Sequence, residues 1–164
     1  MAIFRKWGIY LSLFLTVIAF ILMMATPAFY FKFGKHYYEE SGIVAIFGDK
    51  DYIYNPYCSP AALIAWIIGL LGIIVLIALI GWSFLGGEIE ARYKGIVELI
   101  FAFGFVIAGI LVFLVVPTYF GANGEKDVTS FYHICGGWIA SALLYIFSGL
   151  TLAIPGYLNF RSDY

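Results

Sequence analysis

Few side chains in this 164-residue chain could do chemistry. Glu98 is a single carboxylate inside a long apolar run, and ionisable groups in such surroundings usually mark ion or proton routes. Counted from Gly95 it falls in the first turn of a helix, where the dipole favours a carboxylate and the side chain can reach headgroups. An interfacial role is therefore the expectation, and a proton relay the alternative. The two histidines, His36 and His133, lie in a loop and at a span boundary, and two such lone residues cannot hold a haem within a bilayer. Cys58 and Cys135, the only cysteines, fit no CxxC or Cys/His metal spacing. Both fall at the same ends of their spans, so two readings stand: a disulfide tying those ends together, which the outer side of a membrane permits, or two unpaired interfacial thiols. The chain contains no GxxxxGK[ST], HExxH or GxSxG. These residues predict no enzyme, no metal and no cofactor.

The elements that carry them are apolar: 63% of the chain is hydrophobic, against about half in soluble domains. Four runs, about 7–28, 59–86, 95–120 and 132–156, reach or exceed the roughly 20 residues that cross a bilayer. They are apolar on every side rather than at alternate positions, so they read as helices and not barrel strands. Pro27, Pro60, Pro117 and Pro155 are expected to mark span boundaries. Arg5 and Lys6 before the first run, with Ala25 and Ala28 behind it, resemble a secretory signal, but the run exceeds the usual apolar core of about 7–15 residues and is expected to stay as a helix. The prediction is one tetraspan membrane domain, 1–164, membrane all-α with small β. A four-transmembrane-helix bundle is topped by a short extracellular β-hairpin or three-stranded sheet.

Nine basic and ten acidic residues give a net charge of −1, which offers nucleic acid no favourable field. Arg5, Lys6, Arg92, Lys94 and Arg161 fall on one side of the spans, and Lys32, Lys35, Lys50 and Lys126 on the other. Because cytoplasmic loops carry the excess of Lys and Arg and the first span usually dominates, both termini are expected in the cytoplasm of a multi-pass cell-membrane protein. The loop at 29–58 then faces outward. Its runs Phe29 to Phe33, Ile43 to Phe47 and Tyr52 to Tyr54 have strand-like composition, with Gly48 to Asp51 as a turn. Tyr37, Tyr38, Ile43, Phe47, Tyr52, Tyr54 and Tyr57 form either an interaction surface or an interfacial aromatic belt. Within the spans, small residues recur every four positions and predict close helix packing: Ala61, Ala65 and Gly69; Gly104 and Ala108; Gly137 and Ser141.

The sequence from Val115 to Gly121 is similar to the third-helix exit of the claudin and peripheral myelin protein superfamily of tetraspan proteins. Gly136 to Leu143 resembles that superfamily's fourth-helix opening, and Ala25 to Tyr30 its Pro-x-aromatic exit from the first helix. The resemblance implies a left-handed four-helix bundle under an extracellular sheet, with side-by-side assembly. The superfamily's Gly-Leu-Trp and paired cysteines are absent from the first outer loop, so paracellular sealing is not implied. The expected function is a non-enzymatic structural or assembly protein, surrounded by membrane lipid, whose outer loop contacts a second copy or another membrane or surface protein. The alternatives are an accessory subunit of a respiratory, oxygenase or channel complex, and a small ion or proton channel using Glu98.

Overall fold

The computed structural model of the chain describes residues 2–33, 36–41, 46, 61–114, 118–120, 126–128 and 131–161. Four helices carry most of them: α1 (Ala2–Ala25), α2 (Ala61–Phe84), α3 (Ala91–Phe113) and α4 (Gly136–Arg161). Each contains a stretch long and apolar enough to cross a membrane. The shortest, α3, has 23 residues and so extends about 35 Å, beyond a hydrocarbon core of about 30 Å. A helix satisfies its main-chain polar groups internally, which is what an apolar solvent demands. Together the four make a mostly helical bundle.

The ends of the spans differ from expectation in instructive ways. α3 starts at Ala91 rather than 95 and ends at Phe113 rather than 120. Beyond it Thr118–Phe120 is a strand. α4 starts at Gly136 rather than 132, its first turn closed by Trp138 and Ile139 donating to the Cys135 carbonyl. Pro155 is not a boundary: it lies inside α4, which continues to Arg161. A proline removes one main-chain donor, and membrane helices tolerate it where neighbours compensate. Its ring is seated against Gly8 of α1, where a Cβ would lie 2.9 Å from the ring carbons.

α4 is the hub of the bundle, with three adjacent registers of period seven. Trp138, Tyr145, Leu152 and Asn159 are all buried in the interior. Ser141, Ser148 and Pro155 meet α1: the Ser141 hydroxyl donates to the Ala19 carbonyl (2.7 Å), Ser12 and Ser148 each donate to the other's carbonyl (3.1 and 2.9 Å), and Thr16 lies against Ser148. Ala142, Gly149 and Gly156 meet Gly109, Ala102 and Gly95 of antiparallel α3. A Cβ at Gly109 would sit 2.6 Å from the Ala142 carbonyl oxygen, one at Gly149 2.5 Å from that of Ala102, and one at Gly95 2.7 Å from that of Gly156. The backbones approach so closely because hydrogen atoms stand where side chains would be. α2 packs through its small face, Gly69 under the Tyr145 ring and Gly72 under Phe105.

The backbone also forms strands outside the helices. β1 (Pro27–Phe33) pairs antiparallel with β2 (His36–Ser41) on one side and with β5 (Phe131–Ile134) on the other. β3 (Thr118–Phe120) pairs with β4 (Lys126–Val128). The Phe29 to Phe33 run is thus a strand as expected, and its partners, 36–41 and 131–134, are not among the other predicted strand runs. Within the Ile43 to Phe47 run Ile46 is helical and buried in the core; Ile43, Phe47, Gly48 to Asp51, Tyr52, Tyr54 and Tyr57 lie outside the described residues.

Candidate functional site

Glu98 is fully buried within the bundle. Because α3 begins at Ala91, Glu98 is its eighth residue and not in the first turn. Gly95, from which the turn was counted, is the point where α3 touches the α4 backbone rather than a helix start. Asn159 of α4 donates from Nδ2 to Glu98 Oε2 at 2.9 Å. The other oxygen, Oε1, has no hydrogen-bond partner among the described residues. Lys94, one turn earlier on the same helix, is half-buried. The arrangement can hold a proton or pin the two helices at this level of the bundle. Among the described residues no three His, Cys, Asp or Glu side chains gather as a metal site would require.

Two further polar positions were missed in the sequence. Asn159, the partner of Glu98, follows Pro155 and so lies beyond the expected end of the last span. The Tyr145 hydroxyl, buried beneath Gly69, lacks a hydrogen-bond partner among the described residues. The period of seven that places Asn159 and Tyr145 in one register with Trp138 was the signal that could have found both.

The predicted packing residues are distributed over three interfaces. Ala61, Ala65 and Gly69 are buried on α2. Ala108 is buried, while at Gly104 an added Cβ would lie only in ordinary contact, 3.5 Å from Ile68 Cγ2 of α2. Gly137 sits against Thr26, and Ser141 is bonded to α1 as described. Cys135 is buried immediately before α4, and Cys58 lies outside the described residues, so the expected pairing is not visible. Tyr37 and Tyr38 belong to β2, opposite Lys32 and Phe31. His36 stands opposite Phe33, and His133 opposite Tyr30, so both histidines flank β1 without facing one another.

No family model matches the chain, and neither a curated protein nor a solved structure is similar to it.

Proposed function

We propose that this chain is a non-enzymatic membrane protein of assembly. Its bundle spans the cell membrane with both termini in the cytoplasm, and the loop at 29–58, with β5, forms an outer contact surface for a second copy or another membrane or surface protein. The observation that carries this reading is the joint between α1 and α4. Trp138 Nε1 donates to the Met23 carbonyl at 3.0 Å, and directly beyond it Phe29 to Lys32 pair with Phe131 to Ile134. A sheet tied to two helices needs no second element to fold against, which an isolated hairpin in water lacks, and its edges offer main-chain groups to further strands. The resemblance to claudin-like proteins supports the same arrangement.

The test is the oligomeric state and partner content of gently solubilised full-length protein, with Tyr37→Ser and Tyr38→Ser variants alongside. The reading expects a defined oligomer or a co-purifying protein that the variants weaken. A strict monomer with no partner, and variants that behave like the parent, would overturn it. Fixed stoichiometry with a larger complex would assign the chain to the accessory-subunit class instead.

A second reading, a small proton or ion channel, is favoured by the Oε1 of buried Glu98, which has no partner among the described residues, since ionisable groups within membranes often mark ion or proton routes. Flux measured in liposomes decides it: loss on Glu98→Gln supports the reading, and no flux above empty liposomes removes it.

A further inference from the structure

Arg92 at the start of α3 and Arg161 at the end of α4 come from different helices yet line one recess of about 370 Å³, together with Tyr157 and Phe160. Arg161 Nη1 donates to the Tyr157 hydroxyl at 3.3 Å, and the Arg92 guanidinium carbon stands 5.8 Å from the centroid of the Phe160 ring. Among the described residues neither guanidinium meets a carboxylate. Glu88 lines a separate recess with Lys94, Trp82 and Ser83. Two cationic forks therefore face a common space at the end of the spans, and the contacts that hold them there are aromatic, Tyr157 for Arg161 and Phe160 for Arg92.

The surroundings say what kind of anion fits. The outward ridge of α4 that leads to Arg161 is Phe147, Leu150, Ile154 and Tyr157, all large and each about half exposed. They recur at three- and four-residue spacing along one face. A guanidinium presents paired N–H donors that match a phosphate's oxygens, and basic recesses between membrane helices take lipid headgroups. We propose that Arg92 and Arg161 bind the phosphate of an anionic phospholipid, with its acyl chains lying along the Phe147–Leu150–Ile154 ridge. Selectivity over a zwitterionic lipid arises because the two guanidiniums repel a choline group, and no carboxylate among the described residues lines the recess to hold one. The inference does not depend on which side of the membrane this end faces, nor on the assembly role.

The test is native mass spectrometry of full-length protein released from nanodiscs holding phosphatidylglycerol and phosphatidylcholine in equal amounts. Retention of phosphatidylglycerol over phosphatidylcholine is expected. Arg92→Gln and Arg161→Gln should each lower it about fivefold, while Lys6→Gln, at the same end but outside the recess, should leave it unchanged. Soluble glycerol phosphate, which has the phosphate without the chains, should fail to displace the lipid at millimolar concentration. Equal retention of the two lipids overturns the proposal, as does a Lys6→Gln loss as large as either arginine's. Ready displacement by glycerol phosphate would reassign the recess to a free phosphate ester and remove the lipid.

Discussion

At the scale of single residues, the Glu98–Asn159 pair places two polar side chains in the buried seam between α3 and α4. An acceptor left without a donor in an apolar seam loses about 1–3 kcal/mol, and more when charged. Asn159→Leu is therefore expected to lower the unfolding midpoint in detergent by an amount of that order, read by circular dichroism. Glu98→Gln keeps an oxygen to accept from Asn159 and a similar volume, and should change stability little. The double variant Glu98→Leu with Asn159→Leu removes both partners at once, which can be nearly neutral, so it should recover most of what Asn159→Leu loses. An Asn159→Leu protein as stable as the parent would mean that the 2.9 Å bond holds nothing. Glu98 was legible in the sequence as the one carboxylate of its span; its depth was not. Arg92 and Lys94 obscured the helix start, because charged residues near a membrane boundary look like a loop until their carbonyls and amides are seen to close turns, as Lys94 N does on the Glu90 carbonyl at 3.0 Å.

At the scale of elements, the seam between α3 and α4 depends on what is missing from Gly149. A Cβ there would lie 2.5 Å from the Ala102 carbonyl oxygen and 3.1 Å from the Val106 amide nitrogen. Both are main-chain atoms, so no rotamer change relieves the clash and the helices must part. Gly149→Ala is expected to destabilise by about 1–3 kcal/mol, the range for overpacking. Gly81 in α2 is the contrast: nothing lies within 4 Å of the added atom, and Gly81→Ala should stabilise by about 0.5–1 kcal/mol through helix propensity alone. Thermal unfolding of the two variants side by side should give opposite signs; stabilisation by both would show that helix propensity, not the close approach, dominates. The four helices could be read from the chain because apolar length needs no partner to be recognised. Their mutual register could not be read from small residues four apart, since Gly and Ala are frequent in every span. It was written instead in the period of seven on α4, where each register is defined only by the helix that faces it, α1 through Ser148 and α3 through Gly149. Even Pro155, which reads as a stop, serves as a contact once Gly8 of α1 supplies room for its ring.

At the scale of the whole molecule, the expected orientation rests on a narrow balance of charge in the sequence. Four spans put both termini on one side by parity alone, but parity does not say which side. Arg92, Lys94 and Arg161 at that end are set against Lys32, Lys35, Lys50 and Lys126 at the other, so without Arg5 and Lys6 the count would be three against four and the bias would point the other way. Since Lys and Arg flanking the first span usually govern insertion, the replacement of Arg5 and Lys6 by Gln is expected to produce a substantial inverted population. Protease protection of a tag on the C-terminus reads it directly: digestion from outside should spare the tag in the parent and remove it from much of the variant. The Asp and Glu near the same spans should not matter, because acidic residues contribute little to this rule, and Glu88→Gln with Glu90→Gln serves as the control. If the Arg5 and Lys6 variant keeps a single orientation, the later cluster of Arg92, Lys94 and Arg161 must decide insertion. If the parent's C-terminal tag is itself cut from outside, the loop at 29–58 faces the cytoplasm and the proposed outer contact surface fails with it.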